Sequence, residues 1–245
     1  MTNSSVLILG AKSDIGRAIA YKFAEEGFTV RLAGRNRSEL SRLKKDIEIR
    51  HQVAVSAHEF DVVNTKAHLS FVKRLPELPE VVVCVIGLLG DQQDSETNYA
   101  SADLIFDSNF VGPSHILSVF ANQFETRGSG SLIGISSVAG DRGRASNYVY
   151  GSAKAGFSAF LSGLRNRLAS KGVQVTTVLP GFVYTKMTAD MDLPGALTAT
   201  PEEVGDGVFK AWQAKRDVIY VRAIWRWIML IIKLIPETIF KRLSL

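Results

Sequence analysis

Short apolar runs alternate with longer helix-compatible segments along most of the chain, and this alternation limits the fold more than any other feature. Runs rich in β-branched and other apolar residues predict strands at 6–9, 29–33, 53–60, 81–86, 131–135, 173–179 and 218–221. Helical spacing predicts helices at 15–26, 37–49, 102–125 and 148–170. Alternation of this kind predicts an α/β protein: a three-layer, doubly wound parallel sheet, or Rossmann fold, of about seven strands.

The length of 245 residues suits one domain of this class. No internal repeat or linker divides the sequence, so we expect a Rossmann-type domain at residues 1–222. Its least regular stretch begins at 182, directly after a strand, and predicts a substrate-covering region at 182–214. The remaining residues, 223–245, form an amphipathic basic segment.

Cysteine and histidine usage excludes several kinds of site. The single cysteine, Cys84, lies inside an apolar run, which indicates a buried thiol and a reducing compartment. The four histidines are scattered without ligand-like spacing, so we expect no metal. The N-terminus enters a strand without a basic or long apolar leader, which favours a cytoplasmic location.

A glycine-rich turn, Gly10-Ala-Lys-Ser-Asp-Ile-Gly16, directly follows the first predicted strand and opens a helix. Glycines there allow a tight turn and a close approach to a pyrophosphate, whose charge the helix N-terminus favours. The alternative is an ordinary strand-to-helix turn. Asp14 stands where a phosphate would approach, although it could equally cap a helix beginning at Ile15.

The end of the second strand bears on cofactor choice. An acidic residue there would bind both ribose hydroxyls, whereas this chain has Gly34 followed by Arg35, whose guanidinium suits a 2′-phosphate. The position favours NADP(H) over NAD(H). Alternatively, Arg35 and Lys12 are exposed loop residues without a ligand.

Tyr150 and Lys154 lie four residues apart in a predicted helix, which places both side chains on one face. A nearby ammonium favours the ionised phenol and is expected to lower the tyrosine pKa toward the range useful for proton transfer. Ser137, thirteen residues upstream of Tyr150, could donate a hydrogen bond to the same substrate oxygen. The spacing alone is also compatible with an ordinary helix face.

Taken together, these residues resemble the short-chain dehydrogenase/reductase family over about residues 5–185. The resemblance rests on the Gly10–Gly16 turn, Arg35, Asp61-Val62, Asn109, Ser137, Tyr150, Lys154 and Pro180-Gly-Phe-Val-Tyr-Thr185. It implies hydride transfer to or from carbon, with Tyr150 as general acid/base and Ser137 orienting the carbonyl. It implies that Lys154 lowers the tyrosine pKa and binds the nicotinamide ribose, and that Asn109 holds a water of a proton relay.

The same resemblance implies a set of NADP(H) contacts. Asp61 and Val62 would contact adenine, Gly87 would line the cofactor path, and the 180–185 turn would hold the nicotinamide carboxamide. The full set is Gly10, Lys12, Ser13, Asp14, Ile15, Gly16, Arg35, Asn36, Asp61, Val62, Gly87, Tyr150, Lys154, Pro180, Gly181, Val183 and Thr185. Two places depart from the family pattern: Asp14 replaces a common glycine, and Cys84-Val-Ile-Gly87 replaces an Asn-Asn-Ala-Gly stretch.

A narrower resemblance is to the decaprenylphosphoryl-2-keto-ribose reductase subgroup, keto-sugar reductases acting on polyprenyl phosphates. It rests on residues 11–16, 85–91, 147–154 and 181–188 and on the tail. It implies reduction of a lipid-linked keto-sugar by a homodimer or homotetramer. The alternatives are another hydrophobic or soluble carbonyl substrate, and a non-catalytic NADP-binding sensor or scaffold at a membrane, which would not need the four catalytic residues.

The basic charge is concentrated in the tail. Residues 215–245 contain seven basic residues and two acidic ones, which accounts for the entire net charge of +5. The apolar stretch 224–235 is shorter than the roughly twenty residues that span a bilayer. Its tryptophans, Trp225 and Trp227, and its basic residues predict a helix lying on the inner membrane surface, or alternatively packed on the domain or a second subunit. A nucleic-acid partner is not expected, because the charge lies on an apolar, tryptophan-containing segment.

Overall fold

The computed structural model describes residues 4–189 and 191–243, and its centre is a seven-stranded parallel sheet. The strands are β1 (Ser5–Leu9), β2 (Thr29–Gly34), β3 (Val55–Glu59), β4 (Val81–Cys84), β5 (Gly130–Ile135), β6 (Val173–Pro180), β7 (Phe182–Val183), β8 (Thr198–Ala199) and β9 (Val218–Val221). The sheet order is β3-β2-β1-β4-β5-β6-β9, while β7 and β8 form a separate short pair. The predicted fold class is confirmed.

Helices cover both faces of the sheet. They are α1 (Asp14–Glu25), α2 (Ser41–His51), α3 (His68–Lys73), α4 (Gln92–Thr97), α5 (Tyr99–Phe106), α6 (Gly112–Arg127), α7 (Tyr148–Leu168), α8 (Pro201–Gln213), α9 (Ile224–Leu234) and α10 (Glu237–Phe240). A π-helical turn, Asp107–Val111, joins α5 to α6. Among the described residues, none of the helices is long and apolar enough to cross a membrane.

The two sides of the sheet contain separate hydrophobic cores. In β1, Val6 and Ile8 face one core, which includes residues of α1 and α8, while Leu7 and Leu9 face the other, which includes residues of α6 and α7. All five residues of β1 are buried. Burial on both sides explains why the strands read as continuous apolar runs rather than as alternating patterns.

The strand order reverses beside β1, whose neighbours are β2 and β4. In open parallel sheets, ligands bind outside the carboxyl ends of the strands at such a reversal. The Gly10 turn follows β1, Gly87 follows β4, Ser137 follows β5, and the 181–185 turn follows β6. The topology therefore brings the predicted site segments to one edge of the sheet.

Helix α8 was not predicted, although its start carries a clear local signal. Thr200 accepts a hydrogen bond from the Glu203 amide, the Glu203 carboxylate accepts one from the Thr200 amide, and Pro201 occupies the first helical position. This capping box with an N-terminal proline is typical of a helix start. The predicted substrate-covering region is thus irregular only up to β8.

Candidate active site

The turn after β1 is built by glycine geometry. Gly10 has φ +95°, a conformation that L side chains rarely adopt, and a Cβ there would lie 2.9 Å from the Ile86 side chain. A Cβ on Gly16 would overlap the Gly10 carbonyl oxygen. The backbone of the turn therefore leaves no room for side chains at either glycine.

Ser13, rather than Asp14, caps α1. Its hydroxyl accepts a hydrogen bond from the Gly16 amide at 3.0 Å and donates to the Gly10 carbonyl at 2.9 Å. The expectation that Asp14 could cap a helix starting at Ile15 is wrong, because the helix begins at Asp14. Asp14 instead accepts a hydrogen bond from the Lys186 amide at 2.8 Å and ties the cofactor turn to the segment after β7.

The residues expected near a 2′-phosphate form an exposed polar cluster. Lys12 makes an ion pair with Glu39, and the positive charge of Arg35 also acts on that carboxylate. Together these basic groups hold the pKa of Glu39 below its ordinary value, with the Lys12 hydrogen bond the largest cause. Asn36 caps the following turn by accepting from the Ser38 amide at 3.0 Å. Lys12 and Arg35 thus lie near one carboxylate, which an anionic ligand would have to displace from Lys12.

Asp61 and Val62, predicted to contact adenine, follow β3. The Asp61 carboxylate accepts from the Val63 amide at 3.2 Å, while Val62 is buried against Gly112 at the start of α6. They therefore lie on the β2–β3 side of the sheet, with Val62 held in the core and Asp61 partly accessible.

Tyr150 and Ser137 meet where β5 and α7 come together. Their hydroxyl groups lie close enough for Ser137 to act on the pKa of Tyr150, and the Ser137 hydroxyl accepts from the Ala139 amide at 3.1 Å. The start of α7 is held by Gln92, whose side chain accepts from the Val149 amide at 3.1 Å. The pairing places two hydroxyl groups side by side, as polarisation of one substrate oxygen requires.

Lys154 lies beneath this pair, with its side chain almost completely buried. Its ammonium donates to the Ile135 carbonyl at 3.2 Å and approaches the Ile86 carbonyl at 3.5 Å. Ser136 fixes the same turn of α7 by donating to the Lys154 carbonyl at 3.0 Å. The Nζ atom is 5.7 Å from the centroid of the Tyr150 ring.

Burial, rather than the neighbouring charge, controls both pKa values. Desolvation raises the pKa of Tyr150 to about 12, and the hydrogen bond from Ser137 offsets only part of this. Desolvation lowers the pKa of Lys154 to about 8, opposed by the field of Cys84. The expected net lowering of the Tyr150 pKa is therefore not found in the protein alone, because desolvation outweighs any stabilisation of the tyrosinate by Lys154. At neutral pH the pair is a protonated phenol beside a charged ammonium.

Asn109 is fully buried in the π-helical turn. Its amide group donates to the Leu88 and Ile105 carbonyls at 2.7 and 2.8 Å, and its oxygen accepts from the Leu88 amide at 3.2 Å. Both side-chain hydrogens are used, so the side chain braces the segment after β4. The role in holding a water stays a prediction. A Cβ on Gly87 would lie 3.2 Å from the Asn109 oxygen and 3.4 Å from the Lys154 ammonium, so Gly87 borders both groups.

The turn after β6 completes the site. Pro180 ends β6, Gly181 is half-buried, and Val183 is buried in β7. Thr185 caps the next turn, and its amide donates to the Thr188 hydroxyl at 3.2 Å. The turn is therefore held by its own hydrogen bonds and by the β7–β8 pair.

Known proteins resemble this chain in sequence and in fold. The family model for short chain dehydrogenase matches residues 4–194. The chain is 36% identical over 241 residues to an uncharacterized oxidoreductase of Mycobacterium tuberculosis, covering 97% of this chain and 96% of that one. The chain belongs to the short-chain dehydrogenase family.

Two further similarities concern the sequence and the fold. The chain is 30% identical over 228 residues to a ketoacyl reductase of Nostoc sp., covering 90% of this chain and 79% of that protein. The fold matches that of a short-chain dehydrogenase from Sphingobium yanoikuyae, solved in complex with NADPH, with a TM-score of 0.82 and 23% identity. That match covers 93% of this chain and 91% of the other.

Beyond the family's residues, sequence reasoning missed two contacts of the site with the C-terminal helix. The C-terminal segment was predicted to lie on a membrane or to pack on the domain or a second subunit, and Trp225 fits packing on the domain, because it is buried against Gly181 and Phe182. Arg142, five residues after Ser137, was not singled out, yet it binds the end of α9. The available signal was a pair of arginines, Arg142 and Arg144, in a loop of mostly small residues.

Proposed function

We propose that the protein is an NADPH-dependent reductase that converts a ketone to a secondary alcohol. The observation that carries the proposal is the neighbouring Tyr150 and Ser137 side chains with the buried Lys154 ammonium 5.7 Å from the Tyr150 ring centroid. A buried cation costs free energy and is retained where its charge is used. A protein that only bound the nucleotide would have no need for this arrangement.

The residues at the sheet edge fit a dinucleotide phosphate. In the Gly10–Gly16 turn, side chains at the two glycines would clash with neighbouring atoms, so only backbone lies there. Ser13 fixes the start of α1, whose N-terminal amides favour binding of a pyrophosphate. Lys12 and Arg35 would hold the 2′-phosphate, with Asn36 beside them. Asp61 and Val62 would border the adenine, while Gly87 and the 180–185 turn would border the nicotinamide. When bound, the cofactor supplies the hydride.

In this proposal the protein's own residues handle the substrate oxygen. Tyr150, with a pKa of about 12, is protonated at neutral pH and can donate its proton to the oxygen as negative charge develops there. Ser137 orients and polarises the same oxygen. Lys154, charged below a pKa of about 8, stabilises the tyrosinate left behind and binds the nicotinamide ribose. Asn109 keeps the segment after β4 in place beside Lys154.

The proposed substrate is a ketone carried on a lipid, such as a polyprenylphosphoryl-2-keto-pentose. Support comes from the sequence stretches that resemble that subgroup and from the outer face of α9, where large apolar side chains are exposed. These are Ile224, Trp227, Leu230, Ile231 and Leu234. Arg226 and Lys233 are exposed on the same helix and complement anionic lipid headgroups. The protein would then work at the inner membrane surface.

A second candidate substrate is a ketone on an acyl chain. The ketoacyl reductase of Nostoc is similar over 90% of this chain. An acyl ketone and a polyprenyl-linked keto-sugar share an apolar chain, so the exposed face of α9 serves either one. They differ in the polar group that reaches Tyr150.

One experiment tests reaction and substrate together. The protein is incubated with NADPH and a membrane lipid extract, and reduced species are identified by mass spectrometry. We expect the wild type to consume NADPH and to form a product heavier by two hydrogen atoms. Tyr150→Phe should bind NADPH but form no product, because the phenolic proton is missing.

Tyr148→Phe is the matched control, since Tyr148 is an exposed tyrosine in the same helical turn. It should behave as the wild type. Equal turnover by wild type and Tyr150→Phe would overturn the catalytic assignment. Tighter binding of NADH than of NADPH would overturn the cofactor assignment. Product from an acyl-ketone fraction alone would select the second substrate.

A further inference from the structure

The two tryptophans of α9 lie on opposite faces of the helix. Trp227 is 61% exposed, whereas Trp225 is 4% exposed and packs with Met229 against Val138 and Leu179. Val138 directly follows Ser137, and Leu179 directly precedes Pro180. The buried face of α9 therefore covers the backbone segments on either side of the reaction centre.

Trp225 holds the turn after β6 through three contacts. Its indole lies directly over Gly181, its N–H donates to the Leu197 carbonyl at 3.0 Å, and its ring meets the Phe182 ring edge-on at a centroid distance of 5.4 Å. Leu197 immediately precedes β8, which pairs with β7. One side chain thus links the start and the far end of the segment that follows β6.

At Gly181 the first obstacle to a side chain is this indole. The φ of Gly181 lies outside the left-handed region, so an alanine would adopt the same backbone without strain. However, the three atoms nearest to a Cβ at Gly181 all belong to the Trp225 ring, and they would overlap it. The close approach of tryptophan to backbone is therefore specific to this pair.

Arg142 fixes the other end of α9. Its guanidinium donates to the Ile232 and Ile235 carbonyls at 2.5 and 2.6 Å and to the Glu237 carboxylate at 2.9 Å. It also stacks on Phe240, with 3.7 Å between the guanidinium carbon and the ring centroid. Free carbonyls at a helix C-terminus are satisfied well by a cation. The loop that begins at Ser137 thereby anchors the C-terminal end of α9.

We propose that Trp225 is a positioning residue for cofactor binding: its indole holds the Gly181 backbone in place and makes α9 a fixed wall of the nicotinamide end of the site. This rests on the proposed function, because the role of the 180–185 turn in contacting the nicotinamide is part of that proposal. The buried face of α9 then serves the reaction, and only its outer face is free to contact a membrane.

A double-mutant cycle tests the contact. Gly181→Ala, Trp225→Leu and the double variant are compared with the wild type for NADPH dissociation constant by cofactor fluorescence, for kcat and KM, and for thermal midpoint. Gly181→Ala alone should weaken NADPH binding about tenfold or more, because the new methyl group pushes the turn away from the indole. In the Trp225→Leu background the same methyl group should have no further effect, since the ring it would strike is gone.

Trp227→Leu is the matched control, because it removes the same kind of side chain from the exposed face of the same helix. It should leave NADPH affinity and turnover of a water-soluble ketone unchanged. Equal weakening by Gly181→Ala in both backgrounds, or NADPH binding by Gly181→Ala as tight as in the wild type, would overturn the proposal while leaving the proposed function intact.

If Trp225→Leu does not fold, Trp225→Phe takes its place, because it keeps an aromatic ring but loses the hydrogen bond to Leu197. It should weaken NADPH binding about threefold to tenfold, and unchanged binding would overturn the proposal. A wild-type protein that binds no NADPH would refute the proposed function and this inference with it. The wild-type titration therefore separates the two failures.

Discussion

The reaction centre and the outer face of α9 depart from the usual distribution of side chains in opposite directions. At the reaction centre a lysine is 3% exposed, whereas on α9 a tryptophan is 61% exposed and Leu234 is 73% exposed. Charged groups are seldom fully buried, and large apolar groups are seldom exposed in clusters. Neither arrangement helps the isolated domain to be stable.

The comparison teaches that the two regions use different means to tolerate an unfavourable residue. Lys154 is held by carbonyl groups at the ends of β4 and β5, so its desolvation is partly offset by hydrogen bonds. The exposed side chains of α9 have no such compensation within the described residues, but the opposite face of the helix is buried through Trp225 and Met229. In both regions, buried surroundings hold a residue that folding alone does not favour.

The largest expected effect is that of Lys154→Met on turnover. Removing the ammonium leaves the tyrosinate without a nearby cation, so ketone reduction at pH 7 should fall about a thousandfold, within the range of general acid–base contributions. Steady-state kinetics measures this, and Lys171→Met, an exposed lysine remote from the site in sequence, is the control. A loss below about threefold would show that the buried charge is not used in catalysis.

The next effect is a pH dependence of stability due to Lys154. Its pKa is lowered to about 8 in the folded protein from 10.5, so between these values the unfolded chain binds more protons. Stability from this group should therefore rise with pH across that window, by about 3 kcal/mol. Urea unfolding at several pH values should show the rise in the wild type but not in Lys154→Met. Parallel curves for the two proteins would contradict the lowered pKa.

A smaller effect is expected from Arg142, which joins the two regions. Arg142→Gln loses charge-assisted hydrogen bonds to the end of α9, so the free energy of unfolding should fall by about 2 kcal/mol. Limited proteolysis should also cut the tail sooner. Arg74→Gln, at an exposed arginine, should change stability by less than about 0.5 kcal/mol. Equal stabilities for the two variants would mean that the Arg142 hydrogen bonds do not contribute to holding α9 in place.

The smallest effect concerns the outer face. Trp227→Ser should weaken binding to vesicles containing anionic lipid about tenfold, because one large apolar group no longer enters the interface. Sedimentation with vesicles measures the partition, and added salt should weaken binding by both proteins. NADPH affinity should stay the same. Wild-type protein that fails to sediment with vesicles would refute the membrane assignment, and a loss of NADPH affinity would mean that both faces of α9 serve the site.

Local patterns predicted much of this molecule. The strands could be predicted because burial on both faces demands continuous apolar runs. The Tyr150–Lys154 spacing predicted a shared helix face because the helical repeat is local. The missed helix α8 also carried a local signal in Thr200 and Glu203, so its omission was avoidable. What sequence spacing could not predict was the direction of the Tyr150 pKa, since burial depends on everything that folds around the hydroxyl.

The order of residues determined the parallel α/β architecture, the glycine turn after β1 and the set of groups able to move a proton. These follow from periodicity, backbone conformation and side-chain chemistry, which act over a few neighbouring residues. Tertiary packing decided that Asp14 meets Lys186, that Arg142 holds the end of α9, and which tryptophan of α9 is buried. Such contacts join residues far apart in the chain, and an amphipathic helix does not specify which of its faces the rest of the protein will cover.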